Sequence, residues 1–175
     1  DKRTKLIEKL VKSPGYDSSA FNYFADLLRL QTTHEQYGLG WHVWLRNSLA
    51  KDKPWDKLVN EMLAAEGHSV NNPAVGYYLR DRGMLLDNVS NTAEVFLGHQ
   101  IGCAQCHDHP EVPDWKQDHY YGMKSFFNRT FENGNYIGER EYGLVSFKTT
   151  AGVEKKARLM FLSGAAVEEP VSKEP

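Results

Sequence analysis

Apolar residues recur at helical spacing through the first three quarters of the chain. Leu6, Ile7, Leu10 and Val11 share one face of a first helix, which the Ser13-Pro14-Gly15 cluster should stop. Asp17 and Ser18 can cap a second helix, whose stripe is Phe21, Phe24, Leu27 and Leu28. Trp41, Trp44, Leu45 and Leu49 make a third, ended by Lys51-Asp52-Lys53-Pro54. Pro54 suits the first turn of a fourth helix, carrying Trp55, Leu58, Val59, Met62 and Leu63 and closed by Gly67. Asn71-Asn72-Pro73 then opens a short helical piece with Tyr77 and Tyr78.

Further along, Asn91 and Glu94 have the spacing of a capping box and predict a helix from about Asn91 toward Ile101. Asp108 to Asp114, with two prolines, reads as a loop. Asp114 and Gln117 repeat the capping pattern before a helix from Trp115 to about Phe127. The pattern then changes to a turn at Asn133-Gly134-Asn135 and two short strands, Leu144–Phe147 and Arg158–Leu162, around Ala151-Gly152. The end from Val167 to Pro175 is acidic and Pro-bearing and is expected to be loose. The expected fold is mainly α with a small C-terminal β-hairpin. Residues 1–130 form the helical part, and 131–175 a β appendix and tail of the same domain.

Composition narrows the function classes. With 175 residues, 41% hydrophobic and 25% charged, the chain can bury a real core. A net charge of −2 gives no general pull toward nucleic acid or an anionic membrane. No stretch approaches the roughly 18 apolar residues of a membrane-spanning helix. The chain opens on Asp1 rather than Met, so removed or additional upstream sequence is expected.

The two cysteines are too few for a disulfide framework, but they stand in Cys103-Ala104-Gln105-Cys106-His107, the attachment pattern of c-type haem. Each thiol can add across a haem vinyl group, and two intervening residues let one turn of chain span both vinyls. The next residue then falls beneath the iron, where a neutral imidazole is needed, and His107 offers it. Random placement gives this arrangement roughly once in two thousand chains of this composition, so chance is a poor account of it. Zinc held by Cys103, Cys106, His107 and His109 would pack four ligands into seven residues, whereas structural zinc usually takes two separated pairs. A thioredoxin-like redox pair expects a strand and a βαβ surround, yet a helix leads in here. Inert buried thiols leave the spacing unexplained.

The stretch Asp87-Asn88-Val89-Ser90-Asn91-Thr92, Val95-Phe96-Leu97-Gly98, Cys103-Ala104-Gln105-Cys106-His107-Asp108-His109-Pro110, Trp115-Lys116-Gln117, Tyr120-Tyr121 and Phe126-Phe127 resembles the planctomycete cytochrome-c-like domain family. Trp44-Leu45-Arg46 and Asn72-Pro73-Ala74-Val75 look similar too, so the resemblance spans roughly Asp17 to Phe127. It implies haem attachment at Cys103 and Cys106 and iron ligation by His107. It also carries His109 and the Trp-x-Gln of Trp115 and Gln117, which makes His109 and Trp115 candidates for binding the cofactor. The family usually has Phe and then an acidic residue after the His-Pro, where this chain has Glu111-Val112-Pro113. Small cytochromes c carry the motif near the amino end, but about a hundred residues precede it here, so a non-standard cytochrome arrangement is expected.

The remaining residues give weaker signals. His109 lies too close to His107 to reach the opposite haem face, and fits a propionate contact or a loop-fixing bond to a backbone carbonyl. His99, counted as one turn before Cys103 on the attachment side, is disfavoured as a far-face ligand. His34, His42 and His68 read as ordinary surface or packing residues. On the helix after the loop, Trp115, His119, Met123 and Phe126 or Phe127 share a face. Met123, in an aromatic stretch, is the candidate distal ligand, with an open or water-bound site, His119, Met84 or another His as the other possibilities.

The resulting expectation is one covalent haem c in a mono-haem domain that carries electrons rather than catalyses, within a larger multidomain redox protein. Thioether attachment requires reduced thiols and haem delivered across a membrane, so the location is periplasmic or otherwise extracytoplasmic. The partner is a redox protein or a fused redox domain. A five-coordinate haem that binds CO, NO or peroxide, or a haem-stapled interaction module, is the alternative.

Overall fold

The computed structural model describes residues 1–32, 35–140 and 143–168. His34 and most of the expected loose tail lie outside them. The fold is mainly α, with seven α-helices among the described residues and a small antiparallel hairpin late in the chain. None of those helices is long and apolar enough to cross a membrane. The chain divides into two compact units, Asp1–Arg80 with Gly134–Tyr136, and Asp81–Asn133 with Ile137 onward.

In the first unit, α1 (Lys2–Val11) is capped by Asp1, whose carboxylate accepts the Arg3 N–H at 3.1 Å. Its stripe of Leu6, Ile7, Leu10 and Val11 is about half exposed, and no residue of the helix is buried. The Ser13-Pro14-Gly15 cluster starts α2 (Pro14–Leu27) rather than leading to a later cap at Asp17 or Ser18. The Ser13 hydroxyl accepts the Tyr16 N–H at 3.3 Å, and Pro14 sits in the first turn, where its missing N–H costs nothing.

α3 (Glu35–Ala50) and α4 (Trp55–Leu63) follow the predicted stripes, with Pro54 as the residue just before α4. A two-residue strand, β1 (Gly67–His68), precedes a 3₁₀ turn (Pro73–Val75) that runs straight into α5 (Gly76–Leu79). Asn72 caps this piece by accepting the Ala74 N–H at 3.3 Å. Leu28, Trp41, Leu45, Leu58, Met62, Val75 and Tyr77 are wholly buried. Gly76 is required here, because a Cβ would stand 2.6 Å from the Trp41 side chain. The Arg80 guanidinium lies over the Tyr77 ring, 4.0 Å from its centroid, and donates to the Leu28 carbonyl.

The second unit begins with α6 (Leu85–Leu97). The predicted start at Asn91 is six residues late: Asn91 lies inside the helix, where the spacing to Glu94 mimics a cap, and Asn88, Val89, Thr92 and Ala93 are buried around it. The helix also stops short of Ile101, because Gly98 takes the left-handed conformation (φ +70°) that closes it. A 3₁₀ turn (Gly102–Gln105) carries the cysteine motif. α7 (Gln117–Phe127) starts two residues after Trp115, and its cap differs from the predicted Asp114–Gln117 pair: the His119 ring accepts the Lys116 N–H at 3.1 Å.

β2 (Thr130–Asn133) and β3 (Tyr136–Glu139) flank the predicted turn, two strands beyond those the apolar pattern predicts. β4 (Ser146–Lys148) pairs antiparallel with β5 (Glu154–Lys156), Phe147 opposite Lys155. The second strand is thus the charged, exposed Glu154–Lys156 and not the apolar Arg158–Leu162. That apolar run packs against α7, where a Cβ on Gly122 would meet Met160 Cβ at 2.8 Å, and among the described residues its pairing is the isolated bridge of Met160 to Ala166. Phe147 stacks on Tyr121 at 4.2 Å and 7°, closing a small core with Val145 and Ala157.

Candidate functional site

The motif turn is held from below by Ile101 and Ala104, each 1% exposed, so the residues between and after them face outward. Ala104 N–H donates to the Ile101 carbonyl at 2.9 Å, and the N–H groups of Cys106 and His107 both reach the Cys103 carbonyl, at 3.3 and 3.4 Å. Cys103 and Cys106 are exposed free thiols on this one turn. α7 fastens the turn from the side. The Tyr121 hydroxyl donates to the Gln105 carbonyl at 3.0 Å, and the buried Gln117 amide reaches the same oxygen at 3.5 Å. Burial raises the pKa of Tyr121 and of Tyr120, keeping both phenols as donors.

His107 is exposed, with Nδ1 2.7 Å from the Asp108 carbonyl. A carbonyl only accepts, so Nδ1 carries the proton and Nε2 keeps its lone pair, the tautomer that a metal-ligating histidine uses. His109 is committed instead. Its Nε2 donates to the Gln100 carbonyl at 3.1 Å, while Nδ1 accepts the N–H groups of Glu111 and Val112 at 3.2 and 3.0 Å. Of the two roles expected of it, this is the loop-fixing bond to a backbone carbonyl. It also removes His109 from a zinc set, and among the described residues no cluster of three or more His, Cys, Asp or Glu side chains is placed to hold a metal ion. A strand does not lead into the cysteines either, as a thioredoxin-like pair would require.

Trp115 stands between two histidine rings, 4.7 Å from His99 and 5.4 Å from His109. These residues wall a cavity of about 900 Å³ that also takes in Ser90, Glu94 and Cys103, a volume usual for a small-molecule or cofactor site. The cavity thus brings together Cys103, His109 and Trp115 of the predicted set. Cys106 and His107 lie on the adjoining turn outside its wall, and Met123 is buried on α7, 7% exposed and likewise outside it.

The sequence does not show the structural roles of Asp108, Gln105 and the Tyr121 hydroxyl, because their partners lie nine to sixteen residues away and no spacing rule links them. The backbone N–H of Gln117 and then the Lys116 ammonium, 3.2 Å away, hold the Asp108 carboxyl below the usual carboxylate range. A folded-state pKa below the unfolded one adds stability that is present above the unfolded value and lost as pH falls through the folded one. The Asp108→Asn variant should therefore melt below the parent at neutral pH, and the gap should close below about pH 4. Melting temperatures of both proteins between pH 7 and 2 test this, and a constant gap to pH 2 would exclude titration of Asp108 as the cause.

Neither a curated protein nor a solved structure matches this chain. A family profile does match, over residues 1–132 of the 175 and so across the whole motif turn and α7. The chain belongs to the PSCyt2 family, described as a protein of unknown function (DUF1549).

Proposed function

We propose that this chain is a mono-haem c-type cytochrome domain that carries electrons within a larger multidomain redox protein in an extracytoplasmic compartment. One observation carries the reading: two exposed free thiols three residues apart on a single turn, followed by a histidine whose Nδ1 is tied to a carbonyl and whose Nε2 is uncommitted. That donor set fits haem c. Cys103 and Cys106 would hold the group through thioethers to its two vinyl groups, and His107 Nε2, with the ring oriented by the Asp108 carbonyl, would ligate the iron. His109 fastens the loop after the motif, and Trp115 walls the cavity beside Cys103. When bound, the haem supplies a one-electron couple. The partner is a redox protein or a fused redox module, and the requirement for reduced thiols and exported haem sets the compartment.

Production alongside a haem-maturation system tests this. The expected product is a red protein whose haem survives acid-acetone extraction, with one haem per chain and a six-coordinate low-spin spectrum in both oxidation states. A high-spin spectrum would shift the role to small-ligand binding. Freely extractable haem, or none after competent maturation, would remove the cofactor reading.

A further inference from the structure

The cavity beside Cys103 contains a histidine that the fold leaves unemployed. Gly98 turns the chain out of α6, so His99 is not on a continuous helical turn with Cys103, and the spacing argument against it as a far-face ligand does not apply. Its backbone is fixed by that helix end. The Gly98 N–H donates to the Glu94 carbonyl at 3.2 Å and the His99 N–H to the Ala93 carbonyl at 3.0 Å. Its exposed ring rests edge-on against Trp115, with 65° between the planes. Among the described residues, no hydrogen bond engages either ring nitrogen.

We infer that His99 is the second protein ligand of the haem iron, in addition to His107. The inference rests on the cytochrome reading above. A ligand must offer a lone pair that the fold does not already use, and this criterion separates the candidates of the second unit. Recruiting His109 would leave a carbonyl and two N–H groups without partners, a loss of three hydrogen bonds. His119 spends Nδ1 on the start of α7. Met123 is packed into that helix outside the cavity wall, and Met84, 53% exposed just before α6, is outside it too. His99 alone among these lies in the wall with Cys103 and gives up no hydrogen bond. The bond is dative: one ring nitrogen donates its lone pair to iron, and no electron is transferred.

The experiment compares matured wild-type, His99→Ala, His99→Gln and Met123→Ala proteins by three readouts. These are covalent haem content from the alkaline pyridine spectrum, spin state by low-temperature electron paramagnetic resonance, and ligand type from the near-infrared magnetic circular dichroism band. The wild type should be low-spin with the His–His signature. Both His99 variants should keep one covalent haem per chain yet turn high-spin, and millimolar imidazole should restore the low-spin form of His99→Ala. Met123→Ala should match the wild type. Low-spin His99 variants, a His–Met signature, or a wild type already high-spin with haem covalently bound would each overturn the inference while leaving the cytochrome reading in place. Absence of covalent haem from the wild type would remove both.

Discussion

A protein carrying Cys103→Ser together with Cys106→Ser should come out of the same maturation system with no covalent haem at all. The effect is all-or-none, because serine hydroxyls do not form the thioether and no other cysteine exists in the chain. Each single variant should retain pigment through one thioether. The fold should not explain the loss. Both thiols are exposed, and the turn is anchored by Ile101 and Ala104 beneath it and by Tyr121 and Gln117 beside it. The double variant without haem should therefore unfold within about 0.5 kcal/mol of the parent without haem. Haem staining after denaturing electrophoresis, with a urea curve on the same samples, reads both halves. Persisting covalent haem in the double variant would refute the assignment of the cysteines, and a collapsed urea midpoint would show that they serve the fold.

The largest stability effect should come from Trp41→Ala, at about 3–5 kcal/mol. Trp41 is wholly buried in α3, and Gly76 is pressed so closely against it that a methyl group has no room. Gly76→Ala alone should cost about 1–3 kcal/mol through overpacking. The two changes should not add: once the indole is gone, the alanine methyl enters the space it left, and the second substitution should become nearly free. Coupling between touching residues runs to about 0.5–3 kcal/mol, so urea denaturation of the four proteins in the cycle can resolve it. Strict additivity would mean that the indole and Gly76 do not share this space in solution.

The grouping of the motif's donors was legible in the sequence because it depends on covalent spacing. Two thiols and an imidazole within five residues must share a turn whatever surrounds them, and the structure puts them on one. The stripes of α3 and α4 were legible for a related reason, since burial of Trp41, Leu45, Leu58 and Met62 repeats at the helical period, whereas the buried face of α7 is Tyr120, Met123 and Phe127, with the expected Trp115 and His119 only half-buried. Boundaries were not. Asn91 and Glu94 carry the letters of a cap inside a helix, and Ser13 caps a helix from within what reads as a breaker. The strand swap has another cause. Hydrophobicity marks Arg158–Leu162, but those residues cover Gly122 on α7, whereas Glu154–Lys156 are exposed and pair through backbone alone, which leaves no pattern in side chains. The free ring of His99 was also hidden, since only the fold shows which histidines the backbone has claimed.

The family profile ends at residue 132, but the packing of α7 (Gln117–Phe127) reaches beyond it. Its Gln117 accepts the Thr150 N–H at 3.3 Å, Asp118 pairs with Lys155 at 2.8 Å, Tyr121 stacks on Phe147, and Gly122 lies under Met160. Gln117 and Tyr121 are also the residues that grip the Gln105 carbonyl of the motif turn. The end of the profile is therefore not a seam along which the turn can be excised. A portable cassette meant to graft this turn onto another protein has to run through the Met160–Ala166 bridge, because shorter pieces bare the flank of the helix that grips the turn.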